Sequence, residues 1–153
     1  NLFTVVPNVI INNFLFINSN AFNEIDRMSV RHPNTVIIID HLGRIGANGT
    51  ILQSDIDQLC ALSRNENIYL KVSAFYALGN KKPPHLDLLP LIKQVYNSYG
   101  SDRLMWASDA PPALIGESYE DQISLIRDHI DFISERDKEK LMRTTAERIF
   151  FFK

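Results

Sequence analysis

Hydrophobic positions fall into two recurring patterns along this chain. Short apolar runs rich in β-branched residues alternate with longer stretches whose apolar residues keep helical spacing. The short runs are Val9 to Phe16 (VIINNFLF), Thr35 to Ile39 (TVIII), Ile68 to Ser73 (IYLKVS) and Arg103 to Ser108 (RLMWAS). The second lacks any polar alternation, as expected of a strand buried on both faces of a parallel sheet. The longer stretches carry Phe22, Ile25 and Ser29, then Leu52, Ile56, Leu59 and Cys60, then Leu88, Leu91, Ile92, Val95, Tyr96 and Tyr99. Two more follow, on Ile123, Ile126, Ile130 and Ile133, and on Leu141, Met142, Thr145 and Ile149. Each marks one apolar helix face. Punctuation agrees: Ser19 stands as an N-cap, Pro33 stops the first helix, and Gly100 sits at a C′ position. Ser134 and Asp137 match a variant capping box, and Pro111 ends the fourth strand.

Four strand-then-helix units of roughly 30 residues each suit βαβ crossovers and a parallel α/β sheet. Two arrangements fit: an open, doubly wound sheet, or half of an eight-stranded barrel that needs about 250 residues. The length of 153 residues suits one domain, residues 1–153. Hydrophobic residues at 45% and charged residues at 22% describe a globular chain with a core, not a disordered one. A net charge of -2 leaves no electrostatic footprint for nucleic acid or an anionic membrane. The single cysteine, Cys60, excludes an intrachain disulfide and fits a reducing, cytoplasmic setting. No apolar run reaches membrane-spanning length. The chain starts at Asn1, not Met, which fits processing or a cut from something longer.

Chemistry in parallel α/β folds gathers at the carboxyl ends of strands. The second run ends in Asp40-His41, the third in Lys71-Val72-Ser73 and then Tyr76, and the fourth in Ser108-Asp109. On one rim, His41 and Asp109 are a pair suited to activating a water. Arg44 offers a planar fork to a carboxylate, and Gly43 and Gly46 let the backbone turn close to a ligand. Lys71 and Ser73 share one strand face. With Tyr76, they are candidates for contact with substrate. Each has a plainer alternative. His41 could satisfy loop carbonyls, Asp109 could cap a turn, Lys71 could be solvated or paired, and Tyr76 could be packing. Asp40 reads as structural, His32 as a helix-end residue, His85 and His129 as surface residues, and Trp106 and Cys60 as core. No CxxC, HxH or HExxH is present, and His41 with Asp109 is short of the three ligands of a catalytic zinc.

Val36–Arg44 (VIIIDHLGR), Leu70–Ser73 (LKVS) and Tyr99–Pro111 (YGSDRLMWASDAP) resemble the amidohydrolase superfamily, in its amidohydrolase-related branch. The last stretch is similar to that family's closing strand and the first to its sixth. The resemblance implies a (β/α)8 TIM-type barrel of which this chain supplies roughly strands five to eight and the C-terminal helices. It implies that Asp109 binds a divalent metal or acts as the base toward water, and that His41 contacts the metal, the water or the reacting group. The family's first-strand His-x-His has no counterpart here. Where metal-binding members carry a fifth-strand His, Val9 to Phe16 offers Asn12 and Asn13.

The expectation is therefore a lactonase-like hydrolase acting on a small anionic substrate, with Asp109 and His41 catalytic and Arg44, Lys71, Ser73 and Tyr76 on the substrate. A divalent metal such as zinc on Asp109 and a metal-free site are equally open. The competing expectations are a zinc-dependent decarboxylase or amide hydrolase, and a non-catalytic half-barrel that self-associates through open sheet edges.

Overall fold

A computed structural model describes residues 13–151. Four parallel strands, β1 (Asn13–Leu15), β2 (Ile37–Ile39), β3 (Ile68–Ser73) and β4 (Leu104–Ala107), lie in the order β1-β2-β3-β4. Each crossover carries a helix: α1 (Phe22–Arg31), α2 (Gln53–Ala61) and α3 (Leu89–Tyr99). After β4 come α4 (Tyr119–Ser124), α5 (Glu135–Glu139) and α6 (Thr145–Phe150). The α/β expectation therefore holds. β3 has the expected bounds, whereas residues 9–12 of the first expected strand lie outside the described residues.

β2 is buried on both sides. Ile37, Ile38 and Ile39 are all fully buried. Ile37 and Ile39 join the main core with Phe22, Ile25, Leu59, Leu91 and Val95 from the crossover helices. Ile38 faces the opposite way and packs with Met105 and with Ile149 of α6. Each such isoleucine contributes about 1.5–3 kcal/mol of transfer free energy, which explains why the run carries no polar residue. Behind the sheet, Asn67 donates to the carbonyls of Ser29, His32 and Thr35 and so ties the end of α1 to the start of β3. Tyr99 donates to the Leu59 carbonyl at 2.7 Å, pinning α3 on α2. Burial pushes the Tyr99 phenol far above its ordinary value.

Several boundaries differ from the sequence expectation. Ser19 opens a 3₁₀ turn, Ser19–Ala21, instead of capping α1, whose N-cap is Ala21. The isoleucine face does not run through one helix: α4 passes into a π-helical turn at Leu125–His129, and Ile130 is already extended. The reciprocal capping box belongs to α4, where Ser118 and Asp121 bond each other's backbone. At Ser134 the side chain accepts from the Asp137 amide as expected. His85 is buried rather than on the surface. Among the described residues, no helix is long and apolar enough to cross a membrane.

Gly43 and Gly46 serve packing. Gly43 has φ +61, and a Cβ placed there would stand 2.5 Å from Cζ of Phe22. At Gly46 a Cβ would meet Ile51 at 2.8 Å and the Gly79 amide at 2.9 Å. Gly43→Ala is expected to destabilise the fold by about 2–4 kcal/mol, combining left-handed strain with overpacking. Urea unfolding checks this, and a loss below about 1 kcal/mol would show that Phe22 can move aside.

Candidate active site

The parallel ladders bring the ends of β2, β3 and β4 to one rim. Ile39 is level with Leu70, and Ser73 with Ala107. The chain leaves β2 through a tight turn at His41–Arg44. His41, Leu42, Gly43 and Arg44 all have φ between 52° and 61°. Successive left-handed residues cost roughly 1–2 kcal/mol each outside glycine. Ala74 after β3 and Asp109 after β4 share this conformation, at φ 57° and 58°. Strained backbone concentrates where surrounding structure holds side chains in place for function. Here His41, Arg44, Ala74 and Asp109 line one cavity.

That cavity measures about 180 Å³ and is completed by Phe16, Tyr76, Ala77 and Leu78. His41 and Asp109 face each other with Nε2 3.9 Å from Oδ1. The Tyr76 hydroxyl donates to the other carboxylate oxygen, Oδ2, at 2.9 Å. On the far side of the imidazole, Nδ1 lies 2.9 Å from the Ser73 hydroxyl. A carboxylate only accepts, so the favoured tautomer carries its proton on Nε2, toward Asp109, while Ser73 donates to Nδ1. The His41 ring also meets Phe16 edge-on, with centroids 5.5 Å apart.

Arg44 stacks its guanidinium over the Phe16 ring at 4.4 Å. No carboxylate pairs with it among the described residues. A half-buried cation that no described carboxylate pairs with favours an anionic ligand. Stacking leaves the edge of the fork available.

Of the residues expected at substrate, Arg44 and Tyr76 line the cavity with His41 and Asp109. Lys71 and Ser73 do not. Lys71 Nζ pairs with Asp40 Oδ1 at 2.9 Å, and Ser73 is fully buried against His41. Both therefore act one residue back from the cavity, Ser73 on the imidazole and Lys71 on its chain neighbour Asp40. Phe16, Ala74, Ala77 and Leu78 went unseen in the sequence. Phe16 reads there as the end of an apolar strand, although it is 64% exposed.

The donor set does not make a metal centre by itself. Among the described residues there is no group of three or more His, Cys, Asp or Glu able to hold an ion. His41 Nε2 and Asp109 Oδ1 are two donors, one short of the usual catalytic three. Asp109 Oδ2 is already engaged by Tyr76.

A family model described as amidohydrolase matches residues 21–152. The chain belongs to the amidohydrolase family. No curated protein matches. Among solved structures, an amidohydrolase from Burkholderia multivorans with bound zinc superposes with a TM-score of 0.78 at 19% identity, covering 90% of this chain and 51% of that one. A protein from Pseudomonas putida assigned as a 2-pyrone-4,6-dicarboxylic acid hydrolase gives a TM-score of 0.68 at 25% identity, covering 86% and 50%. The 5-carboxyvanillate decarboxylase of Sphingomonas paucimobilis gives 0.55 at 18%, covering 86% and 38%. The chain thus spans about half the length of the first two, and its four βα units match about half of an amidohydrolase barrel.

Burial first, then the bond to Asp109, pushes the Tyr76 phenol up to about 12, while Arg44 opposes the shift. A raised phenol favours the neutral form in the fold. Its stabilising contribution is complete below pH 10 and is lost as pH rises through about 12. Wild type should lose more stability across that window than Tyr76→Phe, in denaturant titrations at both ends. Parallel pH dependence of the two proteins would show that Tyr76 is not held by Asp109.

Proposed function

We propose that this chain carries one half of the active site of a hydrolase that opens a lactone or a related small carboxylate ester. The observation carrying this is the 3.9 Å separation of His41 Nε2 and Asp109 Oδ1. An oxygen hydrogen-bonded to both would sit about 2.8 Å from each, an ordinary distance for such bonds. A water placed there donates one proton to Oδ1 and accepts from Nε2–H. Asp109 then takes the proton as the water oxygen attacks the substrate carbonyl, and returns it to the ring oxygen as the acyl C–O bond breaks. Tyr76 keeps the carboxylate from turning away, and its own proton stays in place because the phenol titrates only near 12. Ser73 keeps the imidazole proton on Nε2. Arg44 draws a carboxylate of the substrate toward the Phe16 side of the cavity.

Support for a lactone comes from the likeness to the Pseudomonas putida protein, whose assigned substrate is a cyclic ester with two carboxylates. The remaining catalytic groups of a closed barrel would come from strands outside this chain.

The experiment uses the full-length protein and a panel of lactones with and without a carboxylate. Asp109→Asn is expected to lower kcat by about 100-fold or more, as loss of a general base does. Retained turnover would remove Asp109 from the chemistry. Release of carbon dioxide from aromatic carboxylates, with no lactone opened, would move the protein among the decarboxylases.

Arg44→Gln is expected to raise KM for carboxylate-bearing lactones by about tenfold and to leave neutral ones nearly unchanged. Equal effects on both would separate Arg44 from anion recognition.

A further inference from the structure

The proposed site is braced by a second polar contact that the chemistry above does not use. His85 follows β3 and is fully buried, with φ 59°. Its Nε2 lies 3.0 Å from Oε2 of Glu117, whose side chain is 9% exposed. The same oxygen accepts from the buried Gln122 amide. Glu117 adjoins Ser118, the cap of α4. The His85 ring packs against Phe75 at 6.0 Å between centroids. Phe75 is buried and stands between Ala74 and Tyr76, two residues that line the cavity.

Two segments therefore meet twice. One follows β3 and carries Tyr76 and His85; the other follows β4 and carries Asp109 and Glu117. Tyr76 joins Asp109 at the cavity, and His85 joins Glu117 beneath the protein surface. Among the described residues, the backbone hydrogen bonds between Asp109 and Glu117 are short-range turns, such as Ala113 N–H to the Asp109 carbonyl at 3.1 Å. Beside the edge contact of Tyr119 on Trp106, the buried hydrogen-bonded pair of His85 and Glu117 ties the distal end of the second segment to the segment after β3. Removing one member leaves the other buried and short of a partner, which is costly.

We propose that His85 and Glu117 are a positioning pair that holds the segment after β4 against the segment after β3, and so sets the place of Asp109. This rests on the catalytic role of Asp109 argued above. His85→Leu removes the bond, whereas His85→Gln can still reach Glu117 with an amide in place of Nε2. In the full-length protein, His85→Leu is expected to lower kcat about tenfold or more with little change in KM, as a displaced catalytic group does. His85→Gln should recover most of that loss.

Hydrogen exchange reads the same pair without any substrate. His85→Leu should speed exchange at Ala113 and Leu114 while leaving Asp55 and Ile56 of α2 protected. A folded His85→Leu protein with wild-type kcat would overturn the proposal. So would exchange that rises uniformly through α2, or His85→Gln as impaired as His85→Leu. If wild type opens no lactone, the functional assignment fails and the exchange experiment alone decides whether the pair anchors this segment.

Discussion

Parallel pairing of β2, β3 and β4 is the constraint on which everything else here depends. Strands that run the same way end on the same side, so residues far apart in sequence arrive together. His41, Tyr76 and Asp109 are separated by more than thirty residues each, yet they share one cavity. The pairing in turn depends on buried isoleucines. Ile37 and Ile39 face the crossover helices and Ile38 faces α6, so β2 is held from both sides. A slip of this strand by one residue would exchange the two faces and turn Asp40 and His41 over.

The rim trades backbone comfort for placement. Left-handed residues occupy the exits of β2, β3 and β4, and His41, Arg44, Ala74 and Asp109 among them line the cavity, while Lys81 and His85 take the same φ in the loop beyond β3. Packing behind the rim offsets that strain. The Phe22 ring closes on Gly43, and the Gly46 carbonyl accepts the Gly79 amide. Lys71 on Asp40 and Ser73 on His41 supply the polar part of the same support.

Much of this was legible in the sequence because it rests on local pattern. The period of apolar residues marks β3 to the residue, and it places α1, α2 and α3 on the right stretches. His41, Arg44, Tyr76 and Asp109 were legible because strand ends are where this class of fold gathers chemistry. What stayed hidden depends on long-range contact. Ser73 faces an imidazole rather than the cavity, and no local signal says so. His85 follows two prolines and sits among polar residues, the usual look of an exposed turn. Its burial comes from Glu117 and Phe75, which only the folded chain brings to it. The interruption after His129 was hidden for another reason, since Ile130 and Ile133 keep helical spacing while the backbone leaves the helix at Ile130.

A free carboxylate is a symmetric rotor whose two oxygens trade places by a half turn. With the Tyr76 phenol on Oδ2 and the imidazole facing Oδ1, Asp109 loses that symmetry. Its oxygens become chemically distinct atoms: one fixes the angle of the group, and in the proposed reaction the other keeps its lone pairs for a proton. The rotational entropy of the carboxylate is surrendered during folding, and none of it remains to be lost when a reactant arrives.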